Sequence, residues 1–142
     1  MASQHGYYLE DLEIGMSASF SKTVTEADIV LFAGVTGDTN PVHLDEEFAR
    51  GTMFEGRIAH GMLTAGFIST VLGTKLPGPG AIYMSQSLKF KAPVRAGETV
   101  TATCTVAEID REKRRVKLDC FCTVAGKTVL EGEALIMVSK KS

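Results

Sequence analysis

The sequence predicts an α+β fold in which an antiparallel sheet curls round one buried helix. Three observations carry that reading. From Gly61 to Leu72 the chain is apolar or small on nearly every side, with only Thr64, Ser69 and Thr70 polar, so a helix there must be covered by other structure. From Ile82 onward, apolar and polar residues alternate in runs separated by short turn signals, which suits strands. The connectors between the later runs are too short for crossover helices, so those strands pair antiparallel as a meander.

Along the chain, Met1 to about Asp11 is read as a mobile N-terminal segment that includes His5. Its acids (Glu10 and Asp11, then Glu13) replace the basic stretch and apolar run of a signal peptide, and none is expected. Ser17 to Val24 reads as the first strand. Thr25-Glu26-Ala27-Asp28 is a capping-box pattern with Asp in the Glu position. Ile29, Phe32 and Ala33 follow at helical spacing, predicting a helix over about 26–36 that Gly37 stops. Asp45 N-caps a short helix, Glu46-Glu47-Phe48-Ala49-Arg50, with acids in its first turn.

Gly61 opens the central helix. Gly66 costs it roughly 1 kcal/mol but lets a neighbouring backbone come close, and Gly73 is expected to stop it. Leu76-Pro77-Gly78-Pro79-Gly80 is a rigid, irregular loop. Ile82, Met84, Leu88 and Phe90 share one face of a strand. Val100, Ala102, Cys104 and Val106 share a face of the next, and Val116, Leu118, Cys120, Cys122 and Val124 of the one after. Leu130 to Val138 closes the set beyond the Ala125-Gly126-Lys127 turn.

The 142 residues suit one domain over 1–142, with 44% hydrophobic and 23% charged residues and a net charge of −2. That balance gives no reason to expect nucleic acid or a membrane as partner, and no apolar run approaches the roughly 18 residues of a spanning helix. The one dense basic run, Arg111-Glu112-Lys113-Arg114-Arg115, reads as a solvated hairpin tip. Cys104, Cys120 and Cys122 are odd in number and fall in strands, so buried free thiols in a reducing, cytoplasmic setting are expected.

Chemistry concentrates in Gly37-Asp38-Thr39-Asn40-Pro41-Val42-His43. A carboxylate and an imidazole on a short, stiff connector suffice to bind a water and move its protons. The helix starting at Gly61 offers free N–H groups and a positive dipole end to a developing oxyanion. An Asp-x-Asn-Pro segment also suits a plain Asx-turn. Asn40 reads as a loop-fixing side chain, His60 as a cap or packing group, and Ser69 as a hydrogen-bonding group rather than a nucleophile. A metal site from Asp38, His43 and His60 lacks a close-spaced ligand pair, and none is expected.

Asp38-Thr39-Asn40-Pro41-Val42-His43-Leu44-Asp45, with Arg57-Ile58-Ala59-His60-Gly61-Met62-Leu63, resembles the MaoC-like hydratases of the hot-dog fold. Within them it is most similar to the (R)-specific enoyl-CoA hydratases that supply polyhydroxyalkanoate synthesis. Leu76 to Gly80, Ile82-Tyr83 and Gln86 to Phe90 also match, so the likeness runs from about Ser17 to Val138. The resemblance implies a homodimer and reversible syn hydration of trans-2-enoyl-CoA to (R)-3-hydroxyacyl-CoA, a lyase step in fatty acid metabolism. It implies Asp38 and His43 as the catalytic pair, with the Gly61 N–H on the thioester oxygen and Ser69 near the pair. Gly61, Ser69 and Asn40 are thus the expected substrate-binding residues. No cofactor is implied, because the substrate itself carries coenzyme A.

Rival readings stay open on sequence. A 3-hydroxyacyl-ACP dehydratase runs the same chemistry, and a basic rim of Lys89, Lys91 and Arg95 would favour it. A hot-dog thioesterase needs a carboxylate on the central helix, where this chain has none. A non-catalytic acyl-thioester-binding module needs neither Asp38 nor His43. Met62, Phe67, Leu72 and Met84 are candidates for setting acyl depth.

Overall fold

A computed structural model of the chain describes residues 4–141. In chain order it contains β1 (Ser17–Thr23), α1 (Glu26–Thr36), α2 (Pro41–Leu44), α3 (Glu46–Arg50) and α4 (Gly61–Thr74). Strands β2 (Ile82–Gln86), β3 (Lys89–Phe90), β4 (Thr99–Asp110), β5 (Arg115–Val124) and β6 (Lys127–Met137) follow. All pairings are antiparallel, in the order β1-β4-β5-β6-β2, with β3 also on β6. No helix among the described residues is long and apolar enough to cross a membrane.

The period-2 pattern sets the inner face. Val100, Ala102, Cys104 and Val106 on β4 are buried, as are Val116, Leu118, Cys120 and Cys122 on β5, and register places Cys104 opposite Cys120. The outward residues of β1 and β4 are hydroxylic and bond across the strands: Ser17 to Thr105 at 3.1 Å, Ser21 to Thr101 at 2.7 Å and Thr23 to Thr99 at 2.7 Å. Helix α4 lies against β4, β1 and β5. It buries Phe67, Ile68, Val71 and Leu72 there, each contributing roughly 1.5–3 kcal/mol. The hot-dog arrangement follows from one apolar helix finding one curled, half-apolar sheet.

Three expectations about α4 and the strand after it are corrected. Helix α4 is not covered all round: Met62, Gly66, Ser69 and Gly73 form a stripe that stays exposed, with Met62 56% accessible, beside β2. Gly73 does not stop α4, which runs to Thr74 and closes with Lys75 N–H on Val71 O at 2.9 Å. A glycine ends a helix by turning left-handed, and Gly73 keeps negative φ. The run from Ile82 to Phe90 is two short strands rather than one, because the ladder lapses at Ser87 and Leu88; β2 itself also carries a register slip between Tyr83 and Ser85.

The N-terminal segment expected to be mobile is packed over its described part. Gly6 N–H donates to Pro79 O at 2.8 Å, Tyr7 N–H to Pro77 O at 2.7 Å and Leu9 N–H to Ser139 O at 2.9 Å. Leu9 and Leu12 are fully buried. Arg111, read as part of a solvated tip, turns back and donates to Leu9 O and Leu12 O at 3.0 Å each. Two isolated leucines among acids have no period to reveal them. Met1 to Ser3 lie outside the described residues.

Candidate active site

The site begins where α1 ends. Thr25 and Asp28 form the reciprocal capping box that starts the helix, and Gly37 ends it in the left-handed conformation at φ 80°. Asp38 is delivered immediately after. Its N–H donates to Thr36 Oγ1 at 3.2 Å, and its Oδ1 accepts the Asn40 N–H at 3.4 Å. The Asx-turn is therefore present, and it orients the carboxylate instead of replacing its chemistry.

Asn40 caps α2, its Oδ1 accepting the Val42 N–H at 3.2 Å, with Pro41 at the first helical position. That single turn swings His43 inward until it is only 8% exposed. His43 Nδ1 lies 2.8 Å from Ile58 O. A carbonyl can only accept, so Nδ1 carries the proton and Nε2 keeps a lone pair in the neutral ring. Ile58 N–H returns to Val42 O at 3.2 Å, and Ala59 N–H reaches Val94 O at 2.7 Å.

Arg57 fastens this strip. Its guanidinium hydrogen-bonds Glu26 at the start of α1 and, at 3.3 Å, Glu46 on α3. The bond to Glu26 holds Arg57 above the ordinary arginine range. Next comes His60, 1% exposed, with Nε2 at 2.9 Å from Asp38 O and its ring stacked on His43 at 3.9 Å. Then α4 starts. Among the described residues no acceptor takes the Gly61 N–H, as the first position of a helix dictates.

A cleft of about 480 Å³ opens here. Asp38, His60, Gly61, Thr64 and Lys91 supply its polar lining, and Met53, Phe54, Met62, Phe90, Val129 and Leu130 much of its apolar wall. Asp38 and Gly61 line this cleft, whereas His43, only 8% exposed, is not itself part of the wall and adjoins it through Asp38 and the stacked His60 ring. The fold does not bring Asn40 or Ser69 to the cleft wall. Asn40 is exposed and its oxygen is committed to capping. Ser69 sits eight residues along α4 from Gly61, about 12 Å by helical rise, on the open stripe facing a second groove with Tyr83 and Met84. Of the depth candidates, Met62 lines the cleft, Phe67 and Leu72 are core, and Met84 lines the second groove.

Phe90 is the wall residue whose place could not be read from sequence. Its ring lies so close that a Cβ on Gly61 would fall 2.6 Å from Phe90 Cε1. Strand alternation gave its face but not its neighbour across the fold. The basic rim is largely spent: Lys91 pairs with Glu131 at 3.2 Å, and Arg95 donates to Phe54 O and Arg57 O.

Ligand atoms of Asp38, His43 and His60 lie within 4.8 Å of one another, a grouping that sequence spacing did not suggest. The two imidazole planes are nearly parallel, 28° apart. Their in-plane lone pairs cannot meet at one ion within the ~2.1 Å of a metal–imidazole bond, so the grouping suits proton transfer better than metal binding. Burial pushes the Cys122 thiol up to about 12, and hydrogen bonding with Cys120 together with burial raises Cys104. None of the three cysteines lines the cleft.

A family model for the MaoC like domain matches residues 11–128. The chain belongs to the MaoC-like domain family. An (R)-specific enoyl-CoA hydratase of Rhodospirillum rubrum is 63% identical to it over 132 residues, covering 93% of this chain and 92% of that protein. A 3-hydroxybutyryl-CoA dehydratase of Methylorubrum extorquens is 54% identical, covering 94% and 85%. Among solved structures, the unliganded R-hydratase PhaJ1 from Pseudomonas aeruginosa superposes with a TM-score of 0.90 at 42% identity, covering 96% of this chain and 88% of that one. The hot-dog expectation therefore holds for this MaoC-like chain on both sequence and architecture.

Proposed function

We propose that this MaoC-like protein is an (R)-specific enoyl-CoA hydratase, adding water reversibly and syn across trans-2-enoyl-CoA to give (R)-3-hydroxyacyl-CoA. The observation that carries the reading is the His43 tautomer. With Nδ1–H committed to Ile58 O, His43 keeps Nε2 as the acceptor, and its imidazole has a nitrogen within 4.8 Å of an Asp38 carboxylate oxygen. A water held between them loses a proton to the pair as its oxygen attacks C3. The same pair returns a proton to C2. Such a positioned acid–base group is worth about 10²–10⁴-fold in rate.

Negative charge passes meanwhile through the thioester oxygen. The Gly61 N–H, at the positive end of α4, is the donor for it, a term of roughly 3–4 kcal/mol in comparable oxyanion sites. Phe90 and Met62 line the cleft beside that donor. The coenzyme A carrier is favoured over acyl-carrier protein because Lys91 and Arg95 are already engaged within the chain.

A second copy of the chain is the proposed cover for the open α4 stripe and the exposed β2 residues Ile82, Tyr83 and Met84. The product has the configuration that polyhydroxyalkanoate synthesis draws on, and a cytoplasmic setting suits three reduced thiols. The deciding experiment is a chain-length series of enoyl-CoAs, followed by loss of enoyl absorbance and chiral analysis. (R)-product is expected. An (S)-product overturns the assignment, and no turnover with any of them favours an acyl-binding module. Light scattering should give twice the chain mass.

A further inference from the structure

We infer that His60 is a positioning residue for the hydration step, one side chain that holds Asp38 and His43 in register; this rests on the hydratase reading above. His60 precedes α4, where a side-chain cap is expected, yet it makes no cap hydrogen bond. Its Nε2 faces Asp38 instead. Nε2 lies 2.9 Å from Asp38 O, and since that oxygen only accepts, Nε2 carries the proton. One ring face stacks on His43 at 3.9 Å with planes 28° apart, and Phe32 lies 4.7 Å away at 51°.

The remaining nitrogen, Nδ1, is buried with no hydrogen-bond partner among the described residues. A residue retained only for packing would avoid that orphan by being apolar, and one retained only for capping would be a short oxygen-bearing side chain. Histidine combines, in a small ring, a flat face that can stack on His43 with an N–H at the far edge that reaches the Asp38 carbonyl. The need for such a clamp is visible on both members. Asp38 sits exposed after a left-handed glycine. The His43 ring is fixed at one edge by Ile58 O but has no other described hydrogen bond to set its plane. From the start of a third element, His60 adds a hold on the Asp38 main chain, beyond the Asx-turn that orients its carboxylate, and on the plane of the His43 ring.

The test uses the full chain and three substitutions, each checked for folding by circular dichroism. His60→Ala should lower kcat by roughly 100-fold, as small misplacements of reacting groups do, while KM changes no more than about two-fold. His60→Gln keeps a donor and His60→Phe keeps a stacking ring, so each should fall between His60→Ala and the wild type. Added to His43→Ala, His60→Ala should cost almost nothing further, because residues acting as a unit are non-additive. Wild-type kcat in folded His60→Ala, or a loss that adds in full on His43→Ala, would overturn the assignment.

Imidazole ¹⁵N spectra separate this inference from the hydratase reading. Wild-type His43 should show a single Nδ1–H tautomer, and His60→Ala, or His60→Phe should the alanine variant not fold, should show averaged or broadened His43 signals. An unchanged His43 spectrum overturns the positioning role whatever the activity. Failure of the wild type to hydrate any enoyl-CoA overturns only the function.

Discussion

The His43 ring donates from Nδ1 to the carbonyl of Ile58 across 2.8 Å, so the fold itself chooses the tautomer of the catalytic candidate. The two residues are fifteen positions apart, and α2 is a single turn that serves only to bring one to the other. Nε2 is left as a proton acceptor, and the imidazole lies within 4.8 Å of a carboxylate oriented by its own Asx-turn. A water between them meets two acceptors and no competing donor from either side chain.

Asp38→Asn and His43→Ala should therefore each reduce hydratase kcat/KM by about 10²–10⁴-fold and leave the fold intact. Asp38 is exposed, and an amide oxygen can still accept the Asn40 N–H, so Asp38→Asn should melt within a few degrees of wild type. Steady-state hydration of crotonyl-CoA with melting curves on the same samples decides it. An Asp38→Asn protein that keeps most of its turnover would sink the base assignment.

Much of this was legible because its determinants are local. The Thr25–Asp28 box, the Gly37 stop, the Asp45 cap and the alternation of β4 and β5 each act within a few residues, and each is found where expected. The Asp38 and His43 pairing is also local, separated by a five-residue step. What escaped depends on distant parts of the chain. Nothing near His60 in sequence says that its ring will stack on His43, and nothing near Gly61 says that Phe90 will cover it. The open stripe of α4 escaped for a different reason: composition reports that a face is apolar or small, not which partner covers it.

The cysteines should be silent in the native protein. Burial raises Cys122 to about 12, and Cys104 is raised by its hydrogen bond with Cys120 as well as by burial; the same hydrogen bond lowers Cys120, whose silence therefore rests on its burial alone. All three are at most 2% exposed. Thiolate is the reactive form, so a disulfide reagent should label none of them in the folded chain and all three after denaturation. Rapid stoichiometric labelling at neutral pH without loss of the fold would contradict that packing.

Asp28 gives a stability prediction with a defined pH window. The Lys22 ammonium, 2.8 Å from Oδ2, and then the Thr25 N–H at 2.9 Å hold its carboxyl below the ordinary 3.8. A carboxyl depressed by folding stabilises the native state above its unfolded value, and that contribution is lost as pH falls through the lower folded value. Asp28→Asn keeps an acceptor for the cap but removes the charge. It should cost roughly 0.5–1 kcal/mol near neutral pH. The gap should begin to close below about pH 4 and vanish once the native carboxyl protonates. Urea denaturation of both proteins across that range measures it, and a gap that stays constant into acid would assign the effect to something other than the carboxylate charge.

Gly61 carries the sharpest steric prediction. A methyl group there would sit 2.6 Å from Phe90 Cε1 and 2.9 Å from Cδ1, closer than carbon atoms approach. The obstacle is a half-exposed ring rather than backbone, so the chain can yield by moving Phe90, which is 53% accessible. Gly61→Ala should accordingly fold, but with the cleft wall displaced and a methyl group beside the N–H that meets the thioester. Its kcat/KM should fall by roughly 100-fold, in line with a misplaced or obstructed oxyanion donor. Replacing Phe90 by alanine in the same chain removes the clash and should recover part of that loss, whereas Phe90→Ala alone should open the cleft and raise the relative rate with longer enoyl-CoAs. If Gly61→Ala matches wild type, the added methyl neither displaces the cleft wall nor obstructs the thioester, and the steric prediction fails; if Phe90→Ala restores nothing, the methyl obstructs the thioester directly and the ring is only its neighbour.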